Sequence, residues 1–136
     1  MKVVIIEDET AAVERLKKLL AVLAPQEIIS AVLESVSAAV LWLRNYPEPD
    51  LIFLDVQLSD GLCFEIFESI SVLSPIIFTT AYDEYTLKAF KLNSIDYLLK
   101  PIREKELAQS IRKYKKLADA NQQKVVSILY SNFSKI

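Results

Sequence analysis

Four short apolar runs in this chain each lead into a chemically active side chain. Val3 to Ile6 runs into Glu7 and Asp8, Leu51 to Leu54 into Asp55, Ile76 to Phe78 into Thr79 and Thr80, and Tyr97 to Leu99 into Lys100. Runs this short and unbroken suit strands buried on both faces, the pattern of a parallel sheet covered by helices. Stretches with apolar residues three and four apart lie between them, so the chain reads as βα repeated five times in an α/β fold. Open sheets of this kind bind ligands beyond the carboxyl ends of their strands. The runs therefore bring three carboxylates, a hydroxyl and an ammonium to one edge, which suggests a metal and phosphate site.

The first helix is predicted from about Glu9 to Leu23, with Ala12, Val13, Leu16, Leu19, Leu20 and Leu23 along one face and Pro25 past its end. Ile28 to Val32 reads as a second strand. Ser35 or Ser37 caps a second helix carrying Val40, Leu41 and Leu43, which Pro47 and Pro49 stop. A third strand runs from Asp50 to Leu54. Gly61, the only glycine, ends the loop behind Asp55 and is expected at positive φ. A third helix follows with Phe64, Ile66, Phe67 and Ile70, and Pro75 opens the fourth strand. Asp83 or Thr86 is expected to start a fourth helix through Leu87, Ala89 and Phe90. A fifth strand, Ile95 to Leu99, and a lysine-rich amphipathic helix, Arg103 to Leu117, complete the series. Beyond Ala118 the pattern lacks a partner: Asn121, Gln122 and Gln123 read as a linker, and Val125 to Ile136 as a short apolar segment. Residues 1–117 are thus expected to form the domain, and residues 118–136 a linker or helical extension towards something further along.

At 136 residues the chain suits a single domain. Sixteen basic against eighteen acidic side chains leave a net charge of −2, without the basic excess that nucleic acid or membrane surfaces attract. No apolar stretch approaches the roughly 18 residues that span a bilayer, and a strand begins too near Met1 to leave room for a signal peptide. The single cysteine, Cys63, has no internal partner and sits between Leu62 and Phe64, which suits a small buried hydrophobe in a reducing cytoplasm. There is no histidine, so the commonest general base is missing and the chain cannot form a phosphohistidine of its own. Its chemistry must rest on carboxylates, hydroxyls and lysine.

Magnesium takes oxygen ligands, typically one or two carboxylates together with phosphate oxygens, and Glu7, Asp8 and Asp55 at neighbouring strand ends match that demand. Beside such an ion Asp55, at the tip of the central strand, can attack phosphorus and form an acyl phosphate. Lys100 and the Thr80 hydroxyl are placed to neutralise the other phosphoryl oxygens. Lys100 precedes Pro101, which biases it towards extended geometry and aims it inward.

The acid pair Glu7-Asp8, the strand-end Asp55, the Thr80-Ala81 pair, and Tyr97 three residues before Lys100-Pro101 together resemble the receiver domain of bacterial two-component response regulators, over residues 1 to about 117. The resemblance implies a flavodoxin-like, doubly wound, five-stranded parallel sheet of order 2-1-3-4-5. It implies that Asp55 accepts a phosphoryl group from a sensor histidine kinase. Asp8, Asp55 and the backbone carbonyl of Gln57 would hold Mg2+ directly, and Glu7 through water. Thr80 would move onto the phosphoryl group, Tyr97 would turn inward behind it, and the face of the fourth helix, fifth strand and fifth helix would change partners, including to a second copy. The wording from Phe78 to Tyr85 and from Ser94 to Pro101 is most similar to regulators with a LytTR-type DNA-binding output, which these residues do not contain. DNA would be reached only through that missing domain.

Two departures stand out: Glu7 replaces the usual aspartate, and the Ser59 to Gly61 loop is short and lacks the usual proline. The resemblance implies a self-phosphorylating phosphoacceptor rather than an enzyme acting on other substrates. An aspartyl-phosphate phosphatase would need a second acid two residues beyond Asp55, where Gln57 stands. A flavin or nucleotide site would need a glycine-rich loop after the first strand, and there is none. A stand-alone or phosphorylation-independent interaction module is the alternative reading.

Overall fold

The computed structural model describes residues 1–81 and 94–134, with side chains described for residues 1–81 and 94–120. The predicted fourth helix, with Asp83, Thr86, Leu87, Ala89 and Phe90, lies outside the described residues. The remaining elements are β1 (Lys2–Ile6), α1 (Thr10–Leu23), β2 (Ile28–Leu33), α2 (Val36–Asn45), β3 (Leu51–Asp55), β4 (Gln57–Leu58), β5 (Gly61–Leu62), α3 (Phe64–Ser69), β6 (Ile76–Thr80), β7 (Ser94–Leu99) and a C-terminal helix (Glu104–Ser134).

Five parallel strands form the main sheet in the order β2-β1-β3-β6-β7, the flavodoxin-like order expected when the short β4 and β5 are set aside. Successive side chains of a strand point to opposite faces, so each central strand feeds two cores. Val3, Ile5, Leu51, Phe53 and Ile77 pack against Val13, Leu16 and Leu20 of α1 and Leu107, Ile111 and Tyr114 of the C-terminal helix. Val4, Ile6, Ile52, Leu54, Ile76 and Phe78 pack against Ala39 and Val40 of α2 and Phe64 and Ile66 of α3. Every residue of β3 and β6 is buried, which is why their sequences show no polar alternation.

Local chemistry sets the helix limits. Ser35 caps α2, its hydroxyl accepting a hydrogen bond from the Ala38 N–H at 3.0 Å. The loop expected behind Asp55 contains a small antiparallel hairpin, β4 with β5, joined by Ser59 and Asp60. Gly61 takes φ 151° there, a region closed to side chains with a Cβ. Lys100-Pro101 is a cis peptide bond.

The C-terminal helix corrects one expectation. It does not stop at Leu117 but runs on to Ser134, through Asn121, Gln122 and Gln123, the helical one of the two forms expected for residues 118–136. No proline or glycine interrupts residues 104–134, and alanine, glutamine and lysine between Ala118 and Lys124 are good helix formers. Among the described residues, no helix is long and apolar enough to cross a membrane.

Asp96 of β7 ties this helix to the sheet. Its Oδ2 accepts hydrogen bonds from the Ser110 hydroxyl at 2.5 Å and the Lys113 ammonium at 3.2 Å, and its Oδ1 from the Tyr97 N–H at 2.9 Å. Burial alone would push the carboxyl up, but the Ser110 hydroxyl, the Tyr97 N–H and the Lys113 ammonium outweigh it and hold it below the usual carboxylate range. A lowered folded pKa means the stabilisation is complete above the unfolded value of about 3.9 and disappears as pH falls through the folded value. Asp96→Asn should therefore be less stable than wild type at neutral pH, and the gap should close on acidification below about pH 4. Thermal unfolding at several pH values checks this; a gap independent of pH would refute it.

Candidate functional site

The carboxyl ends of β1, β3, β6 and β7 converge because neighbouring parallel strands are in register there. Ile6 pairs with Leu54, Asp55 with Thr79, and Thr80 with Leu99. Glu7 follows β1 directly, and its N–H donates to the Leu33 carbonyl at 2.8 Å, extending the ladder by one residue. The Lys100 N–H likewise donates to the Thr80 carbonyl at 2.7 Å beyond β7. Backbone pairing thus carries four side chains to one place.

Glu7, Asp55 and Thr80 are buried, Asp8 is half-buried and Glu9 exposed. The Lys100 ammonium sits among the acids: it pairs with Glu7 Oε1, with Asp55 Oδ2 at 3.0 Å and, more distantly, with Glu9 Oε1 at 3.8 Å. One carboxylate oxygen from each of Glu7, Asp8, Glu9 and Asp55 lies within 4.8 Å of the others. A cavity of about 290 Å³ opens in front of them, lined by Asp8, Glu9, Asp55, Gln57, Leu58, Thr80, Ala81 and Lys100.

Crowding shows in the protonation equilibria. Burial, then the hydrogen bond to Asp55, pushes the Glu7 carboxyl above its ordinary range against the pull of Lys100. Burial also raises Asp8, helped by Glu7. For Lys100 burial disfavours the charge, but Glu7 and Asp55 more than compensate and hold the ammonium firmly protonated. A cluster of hard oxygen donors that resist sharing one space suits a small divalent cation, which would relieve the repulsion.

The structure brings together Glu7, Asp8, Asp55, Gln57, Thr80 and Lys100, six residues singled out in the sequence. Pro101 follows Lys100 at the cis bond, and Gly61 lies in the hairpin beyond Gln57. Tyr97 stands apart from the cavity, on β7, its ring 6.5 Å from that of Phe78 and packed into the core shared with α2 and α3. Sequence reasoning placed Glu9 only at the start of the first helix, yet it belongs to the acidic cluster. It also missed Ser59 and Asp60, whose partners lie more than twenty residues away.

This fold and this edge define a doubly wound α/β domain with an acidic cluster at the carboxyl ends of its parallel strands. The family model for the response regulator receiver domain matches residues 3–112, and the chain belongs to that family, as a receiver domain of a two-component response regulator. It is 40% identical over 119 residues to the sensory transduction protein LytT of Bacillus anthracis, an alignment covering 85% of this chain and 48% of that protein. It is 38% identical over 141 residues to the transcriptional regulatory protein BtsR of Salmonella typhimurium, covering 97% of this chain and 54% of that one. The response regulatory domain of mrkE from Klebsiella pneumoniae superposes with a TM-score of 0.73 at 31% identity, over 90% of this chain and 99% of that one. The chain spans about half the length of the curated relatives it matches.

Proposed function

We propose that Asp55 accepts a phosphoryl group from the phosphohistidine of a sensor histidine kinase, and that the resulting charge switches the domain's partners. The observation that carries this reading is the placement of the buried Asp55 carboxylate against the cavity, within the acidic cluster and paired with Lys100. An Asp55 oxygen attacks phosphorus, the new O–P bond replaces the P–N bond, and the imidazole leaves with its electron pair. Asp8, Asp55 and the Gln57 carbonyl would hold Mg2+, with Glu7 acting through water; bound there, the ion supplies charge neutralisation for the transferred group. Lys100 contributes a second positive charge and Thr80 a hydroxyl donor.

The name of the Salmonella relative, a transcriptional regulatory protein, supports an output in transcription, and the resemblance to LytTR regulators supports a DNA-binding domain following residues 118–136. A cytoplasmic location and a homodimer through the face containing β7 and the C-terminal helix fit the same reading. The test is direct. Acetyl phosphate with Mg2+ should add one phosphoryl group that hydroxylamine removes, as expected of an acyl phosphate, and chelation should prevent it. Labelling that survives chelation or hydroxylamine would sink the proposal.

Thr80→Ala should separate acceptance from switching. The hydroxyl is fully buried one strand from Asp55, so its loss leaves the nucleophile intact and removes a contact made only after transfer. Phosphorylation should persist while phosphorylation-dependent dimerisation falls several-fold. Equal dimerisation of variant and wild type in sedimentation would count against this role.

A further inference from the structure

The turn from β2 into α2, residues 33–37, ties together both sides of the acidic site. The Leu33 carbonyl accepts from the Glu7 N–H at 2.8 Å, behind the acid pair. The Glu34 carbonyl accepts from the Ser59 hydroxyl at 3.2 Å, and the Val36 and Ser37 N–H groups donate to Asp60 Oδ1 and Oδ2 at 2.7 and 3.1 Å. Ser59 and Asp60 are the two residues that join β4 to β5. β4 carries Gln57, which lines the cavity and whose N–H donates to Asp55 Oδ1 at 3.3 Å.

The helix has little need of Asp60. Ser35 already caps it through the Ala38 N–H, while the first helical N–H groups at Val36 and Ser37 are exposed and could be satisfied by water. The hairpin is different, because two residue pairs make a ladder that is marginal on its own. An ionised carboxylate held by two N–H groups at a helix N-terminus is a strong external anchor for so short an element. The same contacts hold the Asp60 carboxyl below the usual range, Val36 first and Ser37 second.

We infer that Asp60 is a positioning residue for the metal site: by clasping the start of α2 it sets where the Gln57 main chain stands relative to Asp55 and Asp8. The inference rests on the reading above, in which that main chain supplies a ligand to Mg2+. Outer-shell partners of this kind typically change metal affinity without touching a ligand.

Mg2+ titrations of the full chain, followed by amide spectra, test it with four proteins. Asp60→Ala should weaken Mg2+ binding by about tenfold. Asp60→Asn, which keeps an oxygen acceptor, should weaken it less. Ser35→Ala removes the helix cap but leaves the hairpin tied, so its affinity should stay within about twofold of wild type; it controls for simple loosening of α2. Wild-type affinity in Asp60→Ala, or equal weakening in Asp60→Ala and Ser35→Ala, would overturn the positioning role. If the wild-type protein fails to bind Mg2+, the metal reading itself falls, a result visible before any variant is compared.

Discussion

Asp55→Asn should abolish acyl-phosphate formation while leaving the domain folded. The carboxylate is the only anionic oxygen at the tip of β3, and a neutral amide of the same shape lacks the nucleophilic charge needed to attack phosphorus. Structure gives little reason for collapse. Lys100 keeps its pairing with Glu7, and removing one carboxylate relieves the crowding that raises Glu7. The thermal midpoint should therefore equal or exceed that of wild type, which separates loss of chemistry from loss of fold. Intact mass after incubation with acetyl phosphate and Mg2+ is the measurement, and undiminished labelling of the variant would remove Asp55 from its assigned role.

Lys100→Met should produce the largest loss of stability among changes at the site. Methionine replaces the aliphatic stem but not the ammonium that joins Glu7 to Asp55. Removing one partner of a buried ion pair costs about 3–5 kcal/mol when the other charge is trapped. Here Glu7 can take up a proton, so about 2 kcal/mol is the expected cost, a fall in thermal midpoint on the order of 5–10 °C. Added Mg2+ should recover more of that loss in the variant than it adds to wild type, because either cation can offset the same carboxylates. Phosphorylation should also slow, one positive charge being gone from the transfer site. A variant as stable as wild type in chelator would show that the ammonium does not hold the acids together.

Much of this was legible in the sequence because it depends on local pattern. β1, β3 and β6 announce themselves as unbroken apolar runs, since strands buried on both faces need no polar alternation. A residue placed just past such a run must fall at the sheet's carboxyl edge, so Glu7, Asp8, Asp55, Thr80 and Lys100 could be grouped without coordinates. The β4–β5 hairpin was not legible, because two-residue strands are too short to show a period. The sequence left a linker and a helical extension past Leu117 both open, because Asn121, Gln122 and Gln123 are compatible with either, and the structure takes the helix.

The sequence by itself determined the layered fold and the kinds of group at its strand ends, because hydrophobic period and strand polarity act over a few residues, whereas the order of the parallel strands came only as an implication of the resemblance to receiver domains. Only the tertiary structure decided how those groups meet. It placed Lys100 between Glu7 and Asp55, drew Glu9 into the cluster and fastened Asp60 to the start of α2. The Lys100 and Asp60 contacts join residues 23 to 93 positions apart, and their geometry follows from strand register and packing, which no local pattern encodes.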